Sequence, residues 1–231
     1  MSFKTDDILY EDNHLLVVNK RAGQLVQADL TGDLALEDEI KAFIKVRDNK
    51  PGNVFLGVVH RIDRPVSGVI LFAKSKKALV RMNEMMKKRA LEKHYWAITE
   101  NRPAELEALL VHQLMRDGKT NKSYVVATPR GESKEARLRY KVLNISDRYT
   151  LVDVELLTGR HHQIRCQLSK IGCPIRGDLK YGAKRSLPNG SISLHSRSLT
   201  FVHPVRNESM TIVAPVPKDD NLWRFFEQNN G

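Results

Sequence analysis

The uninterrupted apolar run Val69-Ile70-Leu71-Phe72-Ala73 constrains the fold more than any other stretch of the chain. A strand with one wet face alternates apolar and polar residues, whereas a run with no polar position has to be covered on both faces. The polar segment His60-Arg61-Ile62-Asp63-Arg64-Pro65-Val66-Ser67-Gly68 leads directly into it. A carboxylate flanked by arginines on the rim of a buried strand is held ionised and suits a nucleophile or a base. A structural Asp–Arg pair in a loop is the other reading of the same residues.

Around this strand the periodicity changes from segment to segment. Leu15 to Asn19 is a β-branched run bounded by turn residues and reads as a strand, and Leu34 to Val46 has the apolar spacing of an amphipathic helix. Ser75 is placed to cap a helix with Ala78, Leu79, Met82, Met85 and Met86 on one side and lysines and arginines on the other. Lys93 to Thr99 alternates as a strand with Tyr95 and Ala97 on one face, so Tyr95 is either a core aromatic or a site residue. The polar stretch from Val111 to Ser133 reads as an exposed hairpin or loop insertion, and secondarily as an arm that touches RNA. Ala136 to Ile145 and Tyr149 to Leu157 form an antiparallel hairpin, Leu194 to Val202 and Ser209 to Val213 are closing strands, and Asn221 to Gln228 is a final helix. Strands and helices do not alternate regularly, which predicts a mixed, largely antiparallel α+β fold with flanking helices.

Length and charge narrow the partner. The 231 residues carry 38 Lys and Arg against 27 Asp and Glu, a formal charge of +11. Such a balance suits a polyanion, either nucleic acid or an anionic membrane surface. No apolar run approaches the ~20 residues of a membrane span, and Met1 to Asp7 lacks the apolar core of a secretory signal. A cytoplasmic protein is expected. Cys166 and Cys173 lack the paired spacing of a zinc or redox motif and read as two reduced thiols on one helix face.

A second cluster of donors stands at Thr158-Gly159-Arg160-His161-His162-Gln163-Ile164-Arg165. Ile164, Leu168 and Ile171 have helical spacing, with Gly172 and Pro174 as a stop, so the donors fall in the first turns of a helix. Helix N-termini carry partial positive charge, and the cluster therefore suits a phosphate or a carboxylate. Adjacent histidines on a helix point to different faces, which argues against a metal site.

With both stretches in hand, the sequence resembles the RNA pseudouridine synthases of the family typified by the ribosomal large-subunit synthase A. The resemblance rests on Leu9-Tyr10-Glu11-Asp12 with Val17-Val18-Asn19-Lys20, on His60-Arg61-Ile62-Asp63 with Ser67-Gly68, and on Lys93-His94-Tyr95. It continues through Thr158 to Arg165, Gly172-Cys173-Pro174-Ile175 with Gly177-Asp178, and Leu194-His195 with His203-Pro204. The family usually has proline where Arg21 stands and often histidine where Gln167 stands.

The resemblance implies a single catalytic domain over residues 1–231, without a separate RNA-binding module ahead of it, and a pseudouridine synthase fold with a central active-site cleft. It implies an isomerase that turns uridine in ribosomal or transfer RNA into its C-glycoside with neither metal nor organic cofactor. Asp63 matches the family's catalytic aspartate; attack on C1′, attack on the base and removal of a sugar proton all stay open. Arg165 matches the arginine that partners it across the cleft, and such a partner lowers a carboxylate pKa by about 1–3. Tyr95 matches the tyrosine whose ring can stack on the detached uracil and whose hydroxyl could relay the C5 proton. His60, Arg61, Arg64, Thr158, Arg160, His162 and Gln163 are the expected contacts to the extruded nucleotide. RNA is the expected partner, bound by a monomer with no membrane and no protein partner. The competing readings are a catalytically inert RNA-binding or ribosome-assembly factor on the same fold, and a hydrolase using Asp63 with His161 and His162. The first would lose Asp63, Tyr95 or Arg165, and the second needs a second carboxylate or a metal.

Overall fold

The computed structural model describes residues 3–29 and 32–230. Of the opening stretch, Met1 and Ser2 lie outside the described residues. The chain divides into two compact units, Met1–Leu91 with Ser196–Pro215, and Glu92–His195 with Val216–Gly231.

The first unit contains β1 (Ile8–Glu11), β2 (Leu15–Lys20), α1 (Leu36–Arg47), β3 (Gly57–Val58), β4 (Ser67–Ala73) and α2 (Lys76–Lys87). Antiparallel pairing runs from β1 to β2 to β4, with Leu15 opposite Ala73 and Lys20 opposite Gly68. The apolar run of β4 is fully buried because its alternate residues feed two cores. Val69, Leu71 and Ala73 join Leu15 and Val17 under Ala78 and Met82 of α2. Ile70 and Phe72 join Leu16 and Val18 against Leu36, Ile40 and Ile44 of α1. Each such side chain contributes roughly 1.5–3 kcal/mol by leaving water, so a charge at Ile70 would break the unit from its centre. As its sequence signals, Ser75 caps α2, its hydroxyl accepting from the Ala78 N–H at 3.2 Å.

The second unit holds β5 (Glu92–Thr99), β6 (Glu107–Asp117), β7 (Lys122–Val126), β8 (Lys134–Ile145), β9 (Thr150–Leu156), α3 (Gln163–Lys170) and α4 (Asn221–Gln228). Its antiparallel order is β5-β9-β8-β6-β7. β10 (Leu194–Val202) starts in this unit and ends in the first, where it pairs with β11 (Ser209–Val213). Register separates the two faces: Tyr95 stands opposite Val154, which stands opposite Tyr140, while Trp96 stands opposite Asp153. Trp96, Ile98 and Leu151 pack under Trp223 and Phe226 of α4. Ala136, on the other face, packs with Leu114 and with Cys166 of α3. Tyr95 therefore shares its face of the sheet with α3, the helix that carries Arg165.

The stretch from Val111 to Ser133 contains the expected hairpin, β6 pairing antiparallel with β7, although β6 already begins at Glu107. Two expectations change. Arg160, His161 and His162 precede α3 and do not form its first turn, because His162 sits in the left-handed region at φ 51° and the helix starts after it. Cys173 lies beyond the end of α3, so the two buried, free cysteines do not share a helix face.

Candidate active site

In the first unit the polar segment before β4 is a tight turn, closed by the Val66 N–H donating to the Asp63 carbonyl at 3.0 Å. Asp63 itself is half-buried. The turn is fastened by a residue to which the sequence motifs give no role. Lys20, 1% exposed, ends β2 and donates its ammonium to the carbonyls of Arg21 (2.9 Å), Arg64 (3.1 Å) and Val66 (2.6 Å). Burial lowers its pKa to about 7, with the Asp63 carboxylate pulling upward and Arg64 adding to the lowering. The available signals are its place in the Val17-Val18-Asn19-Lys20 motif and at the end of a largely apolar strand. Gly68 closes the segment at φ 113°, where a Cβ would lie 2.2 Å from the Ser196 carbonyl oxygen, so no larger residue fits.

The neighbours of Asp63 take different positions. His60 accepts the Leu71 N–H on Nε2 at 3.1 Å, which leaves the proton of the neutral ring on Nδ1. Arg61 is exposed. Arg64 donates through Nε to the Gly23 carbonyl at 3.0 Å and through Nη1 to Asp33 at 2.6 Å, so it ties the turn to both Gly23 and Asp33.

In the second unit the predicted donors are largely engaged within the protein. Thr158 donates to Gln163 Oε1 at 2.8 Å, the Arg160 N–H reaches the same oxygen at 3.0 Å, and Gln163 Nε2 donates to the Arg137 carbonyl at 3.0 Å. Arg160 Nε donates to the Glu135 carbonyl at 2.9 Å. Thr158 and Gln163 are buried and act together as a clamp of this loop onto β8. Arg165, buried, donates Nε and Nη2 to the two oxygens of buried Asp178 at 2.6 and 2.8 Å, over the ring of Tyr181 at 5.1 Å. The anion that the donor cluster calls for is thus in part the protein's own Asp178, a residue of the Gly177-Asp178 motif to which sequence reasoning gave no role.

The rings of His161 and His162 stack at 3.8 Å instead of diverging. Tyr181 Oη accepts the Ser123 N–H at 2.8 Å and lies 3.0 Å from His162 Nδ1. Burial, then Arg165, His161, Lys180 and Arg116, push the His162 pKa down to about 2. It is a neutral N–H donor and not a cation. Tyr95 is buried on the α3 face. Among the described residues no group of His, Cys, Asp and Glu is arranged to hold a metal ion, and no helix is long and apolar enough to cross a membrane.

A family model described as RNA pseudouridylate synthase matches residues 14–170, a span that contains both motif segments. The chain belongs to this family. Its members are isomerases that convert uridine to pseudouridine in RNA. An uncharacterized RNA pseudouridine synthase of Bacillus subtilis (strain 168) is 32% identical over 221 residues, covering 95% of this chain and 72% of the relative. Ribosomal large subunit pseudouridine synthase C of Escherichia coli (strain K12) is 32% identical over 238 residues, covering 96% and 70%. The solved structure of human RNA pseudouridylate synthase domain containing 4 superposes with a TM-score of 0.79 at 26% identity, covering 97% of this chain and 94% of that one. The motifs of the sequence lead to the same family, although the ribosomal relatives carry the name of synthase C, not of synthase A.

Proposed function

We propose that the chain acts as a catalytic domain, of the branch typified by the large-subunit synthase A, that isomerises uridine in ribosomal or transfer RNA at Asp63. The observation that carries the assignment is the Asp63 turn, whose main chain is fastened on the C-terminal side of the carboxylate by the buried Lys20 ammonium. A reaction that detaches a base and rejoins it needs a carboxylate held in one place, because misplacement by an ångström costs rate steeply.

The isomerisation breaks the N1–C1′ bond, forms a C5–C1′ bond, removes the C5 proton and returns a proton to N1. Asp63 supplies the carboxylate for this exchange, and Tyr95 supplies a ring for the uracil to stack on and a hydroxyl to relay the C5 proton. Arg165 takes a fixed role in this reaction, a reading supported by its rigid hold by Asp178. His162 contributes a neutral N–H, and Arg61 an exposed cation for a phosphate. The net charge of +11 gives the RNA a salt-dependent, sequence-independent grip. The working species is a cytoplasmic monomer.

The test is tritium release from bulk ribosomal and transfer RNA labelled at uridine C5. Wild type releases tritium, and Asp63→Asn loses more than about 1,000-fold in rate while its affinity in filter binding stays within about threefold. Activity retained by Asp63→Asn would remove Asp63 from the chemistry. No release by wild type from either RNA, with binding intact, would favour an inert RNA-binding factor.

A further inference from the structure

A cleft of about 450 Å³ opens within the first unit, lined by α1, β3, α2 and the segment that runs into the Asp63 turn. That volume lies in the range of about 300–1,000 Å³ typical of small-ligand pockets, and it accommodates a nucleobase with its ribose. Phe55 lines it and is 38% exposed, although its neighbour Leu56 is in the core at 3%. Phe55 does not belong to the apolar core packed around α1. An aromatic ring presented in a cleft of a basic protein is a stacking platform for a base.

The polar residues of the cleft are graded in charge. Arg61 is exposed on one side, two positions before Asp63, and offers a cation to a phosphate. Glu37, from the first turn of α1, and Gln27 supply acceptors elsewhere in the lining. Lys41 engages Oε1 of Glu37, and a carboxylate offers about four acceptor positions. An acid in the cleft of a protein with charge +11 is useless for holding phosphate and useful for reading N–H donors. Cytosine, adenine and guanine carry an exocyclic amine with two N–H donors, whereas uracil offers a single N3–H set between two carbonyl oxygens that a carboxylate repels.

We infer that this cleft is a second nucleotide subsite: it holds an unpaired base bearing an exocyclic amine, stacked on Phe55 and read by Glu37, from a nucleotide beside the target uridine. The short chain distance from Arg61 to Asp63 is what makes the occupant a neighbour of the target. The inference rests on the RNA-modifying reading given above, but its test does not pass through Asp63. It gives the chain a means of choosing among uridines by a base that the chemistry never touches.

Fluorescent cytidine and uridine oligonucleotides of equal length are titrated by anisotropy against wild type, Phe55→Ala and Glu37→Gln at one fixed salt concentration. The two probes have the same ring size and differ at the amine. Wild type is expected to bind the cytidine oligonucleotide roughly tenfold tighter. Phe55→Ala weakens both by about five- to a hundred-fold, as loss of a stacked base does. Glu37→Gln abolishes the preference without weakening the uridine oligonucleotide, which a merely unfolded variant would not do. Absence of a preference in wild type, or its survival in Glu37→Gln, overturns the subsite. Tritium release without any preference overturns the subsite alone, and a Glu37-dependent preference without tritium release keeps the subsite and overturns the isomerase reading.

Discussion

The two units fasten their motif segments by opposite means. In the first, one buried cation gathers main chain: the Lys20 ammonium holds three carbonyl groups, two of them just beyond Asp63. In the second, one buried anion gathers a side chain: Asp178 takes the fork of Arg165 through two parallel bonds. An ammonium is a compact donor whose three protons reach acceptors from separate segments, whereas a guanidinium matches a single carboxylate in one plane. The first device fixes where a backbone turn lies, and the second fixes one rotamer. They also differ in charge balance, since Asp178 takes Arg165 in direct hydrogen bonds, whereas burial lowers the Lys20 pKa to about 7 even though the Asp63 carboxylate pulls it upward.

The comparison is broken most severely on the anionic side. Asp178→Ala leaves Arg165 buried with an uncompensated charge and is expected to cost about 3–5 kcal/mol in urea unfolding at constant pH. The double variant Arg165→Met with Asp178→Leu removes both charges and recovers most of that stability, although it removes a residue assigned to the reaction. A loss below about 1 kcal/mol for Asp178→Ala would mean that Arg165 does not depend on this carboxylate.

Lys20→Met comes second. It orphans three carbonyl groups, which costs about 1–3 kcal/mol, and part of this is offset because a buried charge disappears. The sharper readout is kinetic. A loosened turn misplaces Asp63, so kcat is expected to fall at least tenfold with KM within about threefold, the pattern of a group that acts through positioning. Equal loss in kcat for Asp178→Ala and Lys20→Met, at equal residual stability, would erase the distinction between fixing main chain and fixing a side chain.

Neither Lys20 nor Asp178 announces itself in the sequence, and the reason is physical. Periodicity reports which face of an element is covered, which is why β10, β11 and α4 fall where the pattern of apolar residues places them. It does not report which distant polar group a buried charge meets. Asp178 stands in a Gly-rich loop, the place where an aspartate is ordinarily solvated, yet it is buried against Arg165 of α3. The start of α3 was illegible for a related reason: a left-handed His162 replaces the Ser, Thr, Asp or Asn that marks most helix starts. β6 hides because Leu109 and Val111 stay 45% and 50% exposed, so burial does not impose a strict alternation on it. The Asp63 turn, by contrast, was legible, since a fully apolar strand and the polar turn that feeds it sit side by side in the chain.

The smallest expected effect separates the units by pH. Lys20 has its pKa lowered to about 7 by burial, from 10.5, so between these values the unfolded chain holds a proton that the native state has lost. Stability from the first unit therefore rises with pH across that window. In the second unit His94 lies 2.7 Å from Asp153 through Nδ1 and 3.0 Å from Glu92 through Nε2. The bond to Asp153 and the charges of both carboxylates, outweighing desolvation, raise its pKa to about 9 from 6.5. Its contribution is fully present below 6.5 and is lost as pH rises through about 9. The imidazole is 28% exposed, and screening by solvent holds the contribution to about 1 kcal/mol. The windows, about 7 to 10.5 for Lys20 and 6.5 to about 9 for His94, overlap only in part, and the buried Lys20 carries the larger shift, so wild type is expected to show a rise with pH that His94 blunts up to about 9. His94→Gln uncovers the rise due to Lys20, and Lys20→Met uncovers the fall due to His94, each read as the urea midpoint against pH. If both variants kept the profile of wild type, neither group would be titrating in the folded protein, and the contrast between the two cations would have no thermodynamic consequence.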